Sequence, residues 1–125
     1  MTGVQTCALP IWAPYACLAV ITIDLGSNQS ISAIKYSTAS HGPNGLDWPP
    51  NIWVLASVDK TNFYFITDMM KDDPNIPPVP TSGPVCKYKI TSCGLNTHAR
   101  YVRFIIPYSH IHIDEIQILD RKSVV

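Results

Sequence analysis

The chain has 125 residues, 46% hydrophobic and only 14% charged, with nine basic side chains against nine acidic ones and a formal net charge of zero. That length suits one domain, and that composition is core-rich rather than disordered. The lack of a basic excess speaks against an electrostatic binder of nucleic acid or anionic membrane. No apolar run approaches the roughly 20 residues that span a bilayer, and eleven prolines and six glycines suit short strands and long loops.

In chain order, MTGVQTCALPI (Met1 to Ile11) reads as neither a strand nor a capped helix. It also lacks the basic n-region and long apolar stretch of a secretory signal, so no signal peptide is read here. Ile21, Ile23 and Leu25 alternate with Thr22 and Asp24 and predict a half-buried strand. Gly26 to Ser30 is a turn, and Ile31 to Thr38 a second strand. Ala39 to Pro50 is a loop rich in proline and glycine. The strand of Ile52, Val54, Ala56 and Val58 is apolar on both faces near its start, which predicts neighbours on both sides. Asp59 to Asn62 turns into a strand over Phe63 to Thr67. Lys71 to Val85, KDDPNIPPVPTSGPV, cannot be a central strand because its prolines donate no ladder hydrogen bonds. Tyr88 with Ile90, Arg100 to Ile106 and Ile111 to Leu119 mark three more strands. With no convincing amphipathic helix and no internal repeat, the pattern is an all-β antiparallel sandwich or barrel.

Several residue groups invite chemistry. Cys86 and Cys93 flank KYKITS. As an extended strand its ends lie roughly 20 Å apart at about 3.3 Å per residue, whereas a disulfide needs Cα atoms within about 7 Å, so the two are not expected to pair. His110 and His112 share a strand face at a zinc-chelating spacing, with His41 or His98 as conceivable third ligands. No CxxC or Cys/His zinc spacing supports such a site. Asp72-Asp73 and Asp114-Glu115 are the close acidic pairs. Neighbours on a strand point to opposite faces, the first pair sits in the proline-rich loop, and no GxSxG or HExxH appears, so catalysis is not expected. Arg100-Tyr101-Val102-Arg103 interleaves basic and aromatic residues but reads as strand. Asn28-Gln29-Ser30 fits a glycosylation acceptor. Strict alternation in the last strand puts Glu115 on the face of Ile111 and Ile113, and Ile116 and Ile118 on the other. Either a bulge near Asp114 shifts the phase, or Glu115 points inward, where a carboxylate must be paired, protonated or bound to a cation.

Four stretches, in order, resemble the discoidin or coagulation factor V/VIII type C family. They are ITIDLG (Ile21 to Gly26), WPPNIWVLASVDKTNFYFI (Trp48 to Ile66), HARYVRFII (His98 to Ile106) and HIDEIQIL (His112 to Leu119). The resemblance implies a jelly-roll β-sandwich of the galactose-binding-like group, with ligands taken by loops at one end. Sugar sites pair aromatic surfaces with polar groups for hydroxyls. The expected ligand-binding residues are therefore His41, Asn44, Asp47 and Trp48 of one loop with Tyr108 and His110 of another. The resemblance also implies a structural calcium beside Glu115. Its other ligands would come from an N-terminal turn that has no counterpart here, and calcium prefers 6–8 oxygens, so poor binding is expected.

Where that family begins, this chain has Met1 to Ile11, whose reverse translation with a GTG start resembles a sequencing-library adapter. DRKSVV resembles the start of the opposite adapter. Residues 1–11 and 120–125 are accordingly read as not native, and 12–119 as a sandwich incomplete at its N-terminus, from an untrimmed metagenomic read. A missing first strand exposes an edge, so marginal stability is expected. The expected role is a non-catalytic carbohydrate-binding or surface-recognition module with a glycan or cell-surface ligand, in a larger protein that is secreted or held in the cell envelope. The alternative is a purely structural sandwich packed against a catalytic neighbour such as a glycoside hydrolase.

Overall fold

The computed structural model describes residues 2–6, 17–108 and 113–120. Among these residues, eight antiparallel strands form two sheets. β1 (Thr2–Thr6), β2 (Cys17–Ile31), β7 (Thr97–Tyr108), β4 (Trp53–Ser57) and β5 (Tyr64–Asp68) lie side by side in the order β1-β2-β7-β4-β5, and β6 (Cys86–Ser92), β3 (Ala33–Ser40) and β8 (Glu115–Leu119) in the order β6-β3-β8. A 3₁₀ turn at Gly42–Asn44 and the single-turn helix α1 (Met69–Asp72) complete it. This is the antiparallel β-sandwich that the alternating pattern predicts.

The core lies between the sheets. Ile21, Val54, Ala56, Val102, Phe104 and Ile106 from the larger sheet meet Ile34, Tyr36 and Ile90 from the smaller one, with Ile116 and Ile118 packed at the margin. Each fully buried side chain of this size contributes about 1.5–3 kcal/mol. β4 has a neighbour on each side, as its doubly apolar start predicts. One row of the larger sheet's outer face carries Val20, Ile105 and Trp53 in register. The next carries Leu55 opposite Phe65, which is 61% exposed.

Four details depart from the sequence reading. Thr2–Thr6 is a strand, β1, paired with β2 from Thr2↔Ile23 to Thr6↔Ala19. The Gly26–Ser30 turn is a bulge inside one long strand, since the register jumps from Asp24↔Tyr101 to Gln29↔Ala99. Gly26 takes φ 87°, and its N–H donates to the Asp24 carboxylate (2.8 Å), a local closure that holds the extra residues without ending the ladder. Ala39 and Ser40 belong to β3 rather than to the loop. The proline-rich segment begins with a helical turn capped by Asp68, whose carboxylate accepts from the N–H groups of Met70 (3.1 Å) and Ile52 (3.0 Å) and from the Asn51 amide (2.6 Å).

The phase question in β8 resolves towards an irregularity at Asp114. Ile113 and Ile116 both pack against the core, while Glu115 is exposed beside Ser37. The Asp114 N–H donates to the Ser37 carbonyl (2.9 Å), and Ile116 and Ile118 stand opposite the buried Tyr36 and Ile34. Cys86 and Cys93 lie at the two ends of the extended β6 and form no disulfide.

Candidate functional site

The connections after β3 and after β5 gather at one end of the sandwich, where β7 ends and β8 begins. β3 leaves that end at Ser40 opposite Cys86, where β6 begins. β5 leaves it at Asp68 opposite Trp53, where β4 begins. The chain returning from β7 re-enters at Asp114 beside Ser37.

Two of these connections are stitched together. The Gly42 N–H donates to the Pro80 carbonyl (2.8 Å), His41 Nε2 donates to the Gly83 carbonyl (2.8 Å), and Trp48 Nε1 donates to the Pro77 carbonyl (2.6 Å). The Trp48 ring also meets Tyr88 edge-on, at 6.3 Å between centroids. Proline carbonyls are acceptors that no ladder uses, so the irregular segment gains its order from this loop.

Below that seam lies a buried carboxylate. Asp73 accepts from the Tyr88 hydroxyl with both oxygens (2.9 Å each), from the Asn75 N–H (2.9 Å) and from the Thr91 N–H (3.0 Å). Burial, the largest influence, pushes its pKa up. The backbone donors of Asn75 and Thr91 and the Tyr88 hydroxyl outweigh burial and hold it below the usual carboxylate range. Burial first, then the Asp73 carboxylate, push the Tyr88 phenol up. Asp72 accepts from the hydroxyls of Thr67 and Ser92. Sequence placed this pair simply in the proline-rich loop, where Asp73 is a 9% exposed structural acceptor.

Beside the seam, on the smaller sheet, two adjoining depressions of about 380 and 440 Å3 share Thr38, Lys87 and Asp114. β3 runs through the middle. Ser37 stands opposite Lys89 and Ala39 opposite Lys87, so the two lysines share one face of β6. Asp114 stands on the other side, where its N–H meets Ser37. Leu46 and Val85 line the loop side of the larger depression, and Tyr88 lines the smaller one. Among the described residues, Asp24 with Arg100 is the one ion pair, so no described carboxylate neutralises Lys87 or Lys89. The site thus offers two ammonium donors, one carboxylate acceptor and the Ser37 hydroxyl on one face, while Tyr88 and the buried Thr38 turn to the other face and contribute backbone to its floor.

Of the ligand residues expected from sequence, Asn44 and Asp47 are exposed, and one Asp47 oxygen accepts from the Trp48 N–H (2.7 Å). His41 and Trp48 are half-buried and engaged in the seam. Tyr108 ends β7 opposite Cys17, and His110 and His112 lie outside the described residues. Lys87, Tyr88 and Lys89 were not singled out from sequence, and Asp114 was weighed only as half of an acidic pair. The signal available was the alternation in KYK, which puts two charges on one face of a strand and an aromatic on the other.

Glu115 is exposed, and no three His, Cys, Asp or Glu side chains come together as a metal site among the described residues. The guanidiniums of the ARYVR stretch are occupied within the sheet. Arg100 pairs with Asp24 through two contacts (2.8 and 3.1 Å). Arg103 donates to the Thr22 hydroxyl (2.9 Å) and lies 3.9 Å from the Phe63 ring centre. No described helix is long and apolar enough to cross a membrane.

Neither a protein-family model nor a curated protein sequence matches the chain. Among solved structures it is similar to CpGH89CBM32-6 produced by Clostridium perfringens, at TM-score 0.57 and 20% identity, over 95% of this chain and 93% of that one. It is also similar to CpGH89CBM32-5 from Clostridium perfringens, which was solved in complex with GalNAc-β-1,3-galactose, at TM-score 0.51 and 16% identity, over 83% of this chain and 67% of that one. The chain therefore shares the two-sheet antiparallel β-sandwich fold of these structures.

Proposed function

We propose that the chain is a non-catalytic carbohydrate-binding module of the discoidin type, an accessory part of a larger secreted or envelope-associated protein. The observation that carries this reading is the shallow depression on the β6-β3-β8 sheet, where Lys87, Lys89, Asp114 and Ser37 stand together at the surface. Sugar hydroxyls need donors and acceptors side by side, and a shallow site admits a chain from solvent. Its setting on a fold shared with carbohydrate-binding modules supports the reading. Asn44 and Asp47, exposed on the neighbouring loop, extend the surface. None of these residues lies in 1–11 or 120–125. Affinity electrophoresis in gels containing polysaccharide tests it. Retardation is expected, and Asp114→Ala should weaken it about tenfold, the worth of one hydrogen bond to a charged group. Unretarded migration across neutral and acidic polysaccharides alike rejects the reading.

A second reading, a sandwich packed against a neighbouring domain, is favoured by the outer face of the larger sheet. Trp53, Leu55, Phe65 and Ile105 form an apolar surface of the kind that marks interfaces. On this reading Phe65→Ser raises the solubility of the isolated chain without lowering its melting temperature. An unchanged solubility limit speaks against it.

A further inference from the structure

We infer that the depression on the β6-β3-β8 sheet selects a sugar carrying a carboxylate, a hexuronic acid, held between Lys87 and Lys89. The inference rests on the carbohydrate-binding reading and narrows it to a ligand class. Residues i and i+2 of a strand project from the same face roughly 6–7 Å apart, so both ammoniums can reach a single carboxylate. Each is exposed and has no described carboxylate within ion-pair distance.

The charge around them favours an anion. Two ammoniums face one carboxylate, Asp114, within the depression. On the wider face Lys35, opposite Gln117, adds a positive charge, and Glu115, opposite Ser37, a negative one. The excess is positive in a chain whose formal net charge is zero, so the attraction is local to this face. Asp114 then has a complementary use. It accepts hydroxyls from the part of the sugar remote from the acid group, and so orients the ring. The Ser37 hydroxyl, on the lysines' face of β3, lies between the two kinds of charge. The lysines lie along β6, the acid group's side, and Asp114 lies across β3, the hydroxyl side.

The test is affinity electrophoresis in gels containing polygalacturonate, alginate or hyaluronan, beside a neutral galactan and the methyl ester of polygalacturonate. Expected is retardation by at least one uronate polymer, reduced tenfold or more when its carboxylates are esterified. Raising salt to about 0.5 M should weaken it, since screening acts strongly on exposed charges. Lys87→Ala and Lys89→Ala should each weaken it about tenfold and the double variant abolish it, with unchanged melting temperatures, while Lys71→Ala on α1 has no effect. Equal retardation by acid and ester, or by neutral galactan alone, overturns the inference and leaves the carbohydrate-binding reading standing. Uronate binding undiminished in the double lysine variant also overturns it, since the charge would then be read elsewhere. No retardation by any polymer overturns both.

Discussion

The Tyr88 hydroxyl lies 2.9 Å from each carboxylate oxygen of Asp73, so one side chain of β6 anchors the segment that follows α1. The same tyrosine ring meets Trp48 on the face of β6 opposite to Lys87 and Lys89, which ties the floor of the depression to a buried acceptor. Tyr88→Phe should cost about 2 kcal/mol, one hydrogen bond to a charged group. Asp73→Ala should cost about 3 kcal/mol, because it leaves three donors without their acceptor. Urea denaturation of the two variants checks the order. Because the folded pKa of Asp73 lies below its ordinary value, its contribution is present above the ordinary carboxylate pKa and is lost as pH falls below it.

Acid should also act through Asp24. The Arg100 guanidinium, and then the Gly26 N–H, lower its pKa from 3.8 to about 2. A depressed folded pKa gives stability that is complete above pH 3.8 and disappears as pH falls through about 2. Wild-type stability should therefore decline across that window, and Asp24→Asn should be less stable at neutral pH with a shallower decline. Thermal melts in steps from pH 5 to roughly 2 measure both slopes, and parallel slopes exclude this pair as a source of acid sensitivity.

The sheets were legible because alternation encodes burial. Val54 and Ala56, or Val102 and Phe104, declare their faces without any tertiary information, and all are fully buried. The bulge after Asp24 was not, since Gly26 to Ser30 carries turn residues whether the chain reverses or loops out and resumes. The ladder partner Ala99, some seventy residues away, decides between the two. Trp48 and His41 drew attention as sugar-binding residue types, but their partners are carbonyls of Pro77 and Gly83, and nothing local announces a carbonyl acceptor across a loop. Lys87 and Lys89 looked like ordinary exposed strand residues until Asp114 was brought to the far side of β3.

At Gly42 the loop seam runs backbone to backbone. The Gly42 N–H donates to the Pro80 carbonyl, and a Cβ there would lie 2.9 Å from that same oxygen. The obstacle is backbone in a proline-rich segment that has little freedom to retreat. Gly42→Ala should cost about 1–3 kcal/mol, and backbone amide exchange should rise around Gly83 as the seam loosens. Exchange confined to Gly42 and its immediate neighbours would show that the two loops are independent.

Calcium should leave the protein unchanged. Glu115 is exposed and has no described acidic, His or Cys neighbours arranged to complete a shell, and a ligand stabilises only in proportion to its binding to the folded state. The melting temperature is expected to be equal, within about 1 °C, in millimolar calcium and in excess chelator, and equal again for Glu115→Gln. On the ordinary conversion a difference of several degrees corresponds to about 1 kcal/mol, so a shift of that size would reveal a calcium shell completed by further residues.

Trp48 offers the sharpest separation of structural from ligand-facing roles. Its indole N–H is committed to the Pro77 carbonyl, and its ring is 6.3 Å from that of Tyr88 at an interplanar angle of 66°. Trp48→Phe keeps a ring beside Tyr88 and loses one hydrogen bond, at about 1 kcal/mol. Trp48→Ala also loses the aromatic packing, at about 3 kcal/mol. If the tryptophan acts by holding the proline-rich segment in place, the phenylalanine variant should bind polysaccharide within about twofold of wild type, well under the tenfold that 1.4 kcal/mol represents. The alanine variant should lose affinity in step with its melting temperature. A tenfold loss in Trp48→Phe with its melt barely shifted would mean that the indole itself meets the sugar.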